Sequence, residues 1–194
     1  SYCDTNYKVA IAPETNATDV EIYCKSGFEG AVFQTKYFYA ETVPFYAVED
    51  MESDVKWEST NEAVVDIFKW NGEADLKGIG TADITVKIDD TDISDTKTVT
   101  VTGGVSITAG GTYPTTISEE EGLVVYNFTP ETTGNYKFYS VGDYNTNAAL
   151  YNFDFTRLDY SDDEEDNNFG INVELTAGNT YYYVVGMLSW EEVT

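Results

Sequence analysis

The stretch TADITVKI, residues 81 to 88, sends Ala82, Ile84, Val86 and Ile88 to one side and Asp83, Thr85 and Lys87 to the other. A strict period of two is what a strand needs when one face is buried in an antiparallel sheet and the other meets water. On a helix the same residues would scatter their apolar side chains around the circumference. The alternation recurs outward from this point. GLVVYNF, residues 122 to 128, aligns Val124, Tyr126 and Phe128, and GINVELTAG, residues 170 to 178, aligns Ile171, Val173 and Leu175 against Asn172 and Glu174. The Ala-Gly-Asn that follows is turn chemistry leading into TYYYVVG, which predicts a hairpin between those last two strands. No window of eleven or more residues holds a helical period, so the chain is predicted to be all-β.

Turn signals come every 8 to 12 residues, among them Asn71-Gly72, Gly103-Gly104, Gly110-Gly111 and Ala177-Gly178-Asn179, a spacing that suggests β-sandwiches. GGVSITAGGT, starting at Gly103, is small, polar and uncharged. It marks the expected boundary between two domains, residues 1–104 and 105–194, joined so briefly that a shared interface is expected rather than free swinging.

Charge narrows the partners. With 35 acids against 10 bases the net charge is −25, and nucleic acid or an anionic membrane would be repelled. Disordered acidic tails lack rings, whereas 15% of this chain is aromatic, so the charge belongs to the surface of a folded protein. No apolar run approaches the roughly 18 residues of a membrane span. A start without Met and without a leader pattern fits a mature secreted protein or an excised piece of a longer one. Cys3 and Cys24 either form a bridge around a loop of about 20 residues, stabilising by roughly 3 kcal/mol, or serve as small hydrophobes.

Residues 20 to 104 resemble the bacterial immunoglobulin-like group 2 domain through VKWEST, NEAVVDI, NGEADLKGIGTADITVKI and KTVTVTGG. That resemblance implies a spacer or adhesion role and makes Trp57 a core ring between two sheets. The second half resembles the bacterial pre-peptidase C-terminal domain, a jelly-roll-like sandwich, through YNFTPETTGNYKFYS, NAALYNFD and SDDEEDNNFGINVELTAGNTYYYVVG. It departs from that pattern by ending at SWEEVT, without a further closing strand. Relatives of that fold bind calcium or insoluble polymers, so the resemblance implies a binding module. The expected fold class is therefore two β-sandwiches in tandem, immunoglobulin-like and then jelly-roll-like.

Two sets of candidate residues follow. Calcium takes six to eight hard oxygens, and Asp162, Asp163, Asp166 and Asn167, with Asn168, sit in one loop; charge runs are usually solvated, and the same acids read first as a hydrated loop. Carbohydrate needs exposed rings beside amide and carboxylate groups. Alternation turns Tyr139 and Tyr182 outward, Trp70 falls at a hairpin turn, and Trp190 lies beside Glu191 and Glu192. Tyr144 and Tyr151, with Asn145, Asn147 and Asn152, bracket a further loop. Any one of these rings can instead fill a core.

Catalysis is disfavoured. The chain has no histidine, which removes Ser-His and Cys-His nucleophiles, and no apolar strand face carries an acid whose pKa burial would raise. The expectation is a non-catalytic, secreted or cell-surface carbohydrate-binding protein, part of a larger multidomain protein. Its partner would be a polysaccharide or oligosaccharide, a plant polymer such as starch, with no nucleic acid and no membrane insertion. The alternative is a structural spacer or adhesion module of a bacterial surface protein, with calcium stiffening the acidic loop.

Overall fold

In the computed structural model the described residues are 16–44, 54–117, 122–162 and 168–187. Sixteen strands and no helix occur among them: β1 (Asp19–Tyr23), β2 (Glu29–Ala31), β3 (Thr35–Tyr37), β4 (Tyr39–Val43), β5 (Val55–Ser59), β6 (Val65–Ile67), β7 (Glu73–Leu76), β8 (Gly80–Ile88), β9 (Ser94–Thr102), β10 (Val105–Ile107), β11 (Leu123–Phe128), β12 (Gly134–Tyr139), β13 (Thr146–Tyr151), β14 (Arg157–Ser161), β15 (Gly170–Leu175) and β16 (Tyr181–Met187). The chain is all-β, and its strands form layered sheets.

The alternation of TADITVKI becomes β8, at the centre of the first half. β8 pairs antiparallel with β5 and β9, and β2 joins the far side of β9 in parallel, giving the order β2-β9-β8-β5. Ala82, Ile84, Val86 and Ile88 all lie buried on one face of that sheet. Opposite them stand the β1-β4 pair and the β3-β7-β6 sheet, which contribute Val20, Ile22, Val65, Ala74 and Leu76 to the same core. Trp57 of β5 is buried in this layer, its ring centroid 6.5 Å from that of Phe38, as the resemblance implied. Burying side chains of this size stabilises by about 1.5–3 kcal/mol each, which is why the β-branched, alternating strands outcompete any helical arrangement of the same residues.

After Gly103 and Gly104 the chain enters a five-stranded sheet of order β10-β11-β16-β13-β14, faced by a two-stranded sheet of β12 and β15. Tyr126, Phe128, Leu150, Ile171, Leu175, Tyr183 and Val185 meet between them. Among the described residues, every strand before Gly103 pairs with strands before it, and every strand after Gly104 with strands after it.

One expected pairing is corrected here. β15 and β16 do not form a hairpin: β15 pairs with β12, while β16 lies between β11 and β13 in the opposite sheet. The Thr176–Thr180 turn carries the chain across the sandwich instead. Gly178 adopts φ +77, its N–H bonds Pro130 O at 2.9 Å, and Thr176 N donates to the Tyr181 hydroxyl at 3.1 Å. Both strands bury apolar side chains, so each is better placed facing the other across a core than lying beside it.

Candidate functional site

Tyr182 is not an outward platform. Alternation does turn it away from Tyr181 and Tyr183, but that face of the five-stranded sheet is covered by the first half, and Tyr182 is only 8% exposed. Its ring lies 5.1 Å from Phe155, which meets Phe33 edge-on at 5.4 Å, and Phe33 lies 4.3 Å from Tyr151. Tyr151 is thus committed to the same cluster rather than to a loop. Tyr144 and Tyr151 also do not bracket one loop: Tyr144 precedes β13 and Tyr151 ends it, so the length of the strand separates them. Asn152 uses its Oδ1 to accept from Thr156 N at 2.8 Å, and so closes the turn that presents Phe155.

The backbone at this junction is unusual. Phe33 has φ +74 and Phe155 has φ +64, left-handed conformations that bulky residues rarely adopt and that glycine takes freely. Polar contacts reinforce the rings. Asn127 Nδ2 donates to Gly103 O and Gly104 O, both at 3.1 Å, and Gln34 Nε2 donates to Leu123 O at 3.4 Å. Gly104, with φ +77, passes so close to β11 that a Cβ there would lie 2.1 Å from Val125 O.

Tyr139 and Tyr144, by contrast, are exposed, at 62% and 47%, and the structure brings them together at the mouth of a cleft of about 810 Å³ in the second half. Among the described residues a two-stranded sheet faces the five-stranded one, and the 108–117 segment forms part of the cleft's wall. Its walls include Tyr126, Phe128, Phe138 and Tyr183. Thr115 is hydrogen-bonded to the Tyr126 hydroxyl, and Tyr113 OH is bonded to Thr108, so the wall is tied to itself and to β11. Ser140 Oγ bonds Thr146 Oγ1 and Asn168 Oδ1, both at 2.9 Å, and Asn168 Nδ2 donates to Gly142 O at 3.1 Å.

Two buried polar atoms among the described residues break this pattern of satisfied groups, Asn145 Oδ1 and the Tyr183 hydroxyl, and only the second lines the cleft. The Tyr183 hydroxyl is buried and has no hydrogen-bond partner among the described residues. Burial, with a smaller contribution from Tyr126, pushes its pKa well above the usual tyrosine range, so the phenol stays protonated. A buried orphan of this kind carries the cost of lost hydration, about 1–3 kcal/mol.

Trp70 stands apart on the β6–β7 turn in the first half, 50% exposed, with Lys69 Nζ 4.9 Å and Lys56 Nζ 6.0 Å from its ring centroid. The sequence reading missed a second exposed group. Tyr23 and Tyr39 are direct partners in the β1–β4 ladder and both are exposed, as is Tyr37 nearby in sequence. The signal was present in KYFYA, where alternation separates Tyr37 and Tyr39 from the buried Phe38.

Of the acidic loop, Asp162 follows the end of β14, whereas Asp163, Asp166 and Asn167 lie outside the described residues, as do Trp190 and Cys3. Among the described residues no group of three acidic, Cys or His side chains is gathered. Cys24 is buried, with its Sγ 3.5 Å from Ser26 Oγ. No helix of the described residues is long and apolar enough to cross a membrane.

Comparison with known proteins adds little. No family model matches the chain, and no curated protein matches it. Among solved structures it is similar to the S-layer protein rSbsC(31-844), at 12% identity and a TM-score of 0.34, covering 91% of this chain and 25% of that one. It is also similar to domains 4 and 5 of the S-layer protein SbsC, at 12% identity and a TM-score of 0.32, covering 90% and 88%. The chain thus spans about a quarter of the length of the first of these. Similarity at that level transfers no function.

Proposed function

We propose that the chain is a non-catalytic structural module of a secreted or cell-surface bacterial protein, two sandwiches locked together as a stiff spacer. The observation that supports this reading is the pair Phe33 and Phe155. Both hold left-handed backbone that glycine would take without strain, and both place their rings in the contact between the two halves. A bulky residue in that conformation costs on the order of 1–2 kcal/mol. Such strain persists only where the surrounding contacts outweigh it. The acidic surface suits the same role, because high net charge keeps an extended module soluble and discourages self-association.

The test separates the joint from the sandwiches. Phe33→Gly with Phe155→Gly removes both rings while relieving the backbone, so each sandwich keeps its fold. Distances between spin labels on β5 and β14 are expected to be narrowly distributed in the parent and at least twice as broad in the double variant. A parent distribution as broad as the variant's would defeat the spacer reading.

A second reading, polysaccharide binding on exposed rings with starch as one such polymer, is supported by the facing pair Tyr23 and Tyr39, together with Trp70. Retardation in starch, xylan or cellulose gels, lost in Tyr39→Ala, is its expected signature; unchanged migration in all three removes it. Calcium at Asp162 and its neighbours belongs to either reading as a stiffener of that loop.

A further inference from the structure

We propose that the cleft between the two sheets of the second sandwich is a binding site for a saccharide, one or two sugar rings seated on its aromatic walls. The inference is independent of the spacer role, and it differs from polymer binding on the exposed rings because the site is recessed.

Three observations converge on it. The volume of about 810 Å³ falls in the range of small-molecule sites, roughly 300–1,000 Å³. Its walls mix rings with hydroxyls: Tyr126, Phe128 and Phe138, largely committed to the core, give it apolar surface, and Thr115, Ser140 and Thr146 lie among them. Most of these hydroxyls already have partners within the protein, yet the Tyr183 hydroxyl at the floor has none among the described residues. A phenol that stays protonated both donates and accepts, which matches a sugar hydroxyl and not a hydrocarbon.

Charge chemistry points the same way. Among the described residues lining the cleft Lys137 is the one charged side chain and none is Asp or Glu, so these residues give a cation no counter-charge. The mouth is formed by Tyr139 and Tyr144, exposed rings that the second sandwich does not need for its core. An added β-strand along the edge of β12 is the competing occupant. It would satisfy backbone groups at that edge and leave the phenol alone, which is why the saccharide is favoured.

The experiment uses the full chain and saturation-transfer NMR with glucose, galactose, xylose, N-acetylglucosamine and their disaccharides at roughly 10 mM, enough to detect millimolar binding. Toluene serves as an apolar ring of similar size. At least one saccharide is expected to receive saturation, with a dissociation constant that rises about tenfold in Tyr183→Phe, the loss of one hydrogen bond. The melting temperature of Tyr183→Phe is expected to stay level or rise, since an orphaned hydroxyl has been removed. Tyr139→Ala with Tyr144→Ala, both at exposed positions, should weaken the same saccharide without unfolding the protein. Signal for toluene alone, no signal for any saccharide, or equal saccharide binding in all variants would each overturn the proposal.

Discussion

Asp95 shows how much one side chain can tie together. It sits on β9, accepts from Ile22 N of β1 at 2.8 Å, 73 positions away in sequence, and pairs with Lys97 at 3.0 Å. Burial alone would raise its pKa, but the Ile22 and Thr96 N–H groups and the Lys97 ammonium together hold it below the usual carboxylate value. A depressed folded-state pKa contributes stability that is present above the unfolded value, near 3.9. That stability is lost as the pH falls through the depressed folded value. Asp95→Asn should therefore melt lower than the parent at pH 7, by the equivalent of about 1 kcal/mol. The two should converge well below the ordinary carboxylate range, where the parent's carboxyl is protonated as well. A difference that persisted unchanged at low pH would show that the charge of Asp95 contributes nothing. At this scale Tyr182 and Trp57 teach opposite lessons. Trp57 was readable because alternation and its neighbours agreed on burial; Tyr182 was not, because alternation tells which face a ring occupies and not what covers that face.

Elements were legible where one face is wet. β8 and β15 follow their alternation position by position, whereas β11 buries Val125 as well as Tyr126 and Phe128 because both of its faces are covered; the turn at Asn71-Gly72 sits where the sequence puts it. The partner of each strand was less legible. TAG between β15 and β16 reads as a hairpin turn, yet it crosses from sheet to sheet, because local turn chemistry does not distinguish a link within a sheet from a link between two. Three-residue strands such as β2, β3, β6 and β10 are too short to show any period, and two of them, β2 and β10, enter parallel pairs that no local signal marks. The candidate site was legible only as scattered rings. Tyr139 and Tyr144 meet at one cleft because β12 and the approach to β13 end on the same side of the sandwich. Trp70, read in the same way, lies on the other half of the chain. The orphaned phenol of Tyr183 had no sequence signal, since its neighbours in the triple tyrosine look identical to it.

For the whole molecule, the link between the two halves behaves unlike a tether. Tandem modules are usually nicked by proteases at the small, polar residues that join them. Here the carbonyls of Gly103 and Gly104 are both engaged by Asn127, and the Tyr182 ring lies against Gly103 closely enough to meet a Cβ there at 3.0 Å. A protease must draw its substrate into an extended form, and this dipeptide cannot be drawn out without first parting the aromatic cluster. Limited digestion with a broad-specificity enzyme such as proteinase K should leave the Gly103–Gly104 bond intact in the parent and cut it in Asn127→Ala, with fragments sized by mass spectrometry. Digestion at that bond in the parent at the same rate would contradict the anchoring. The weakest-looking spot in the primary structure is thereby turned into a protected one, and a chain under attack by proteases would be severed elsewhere first.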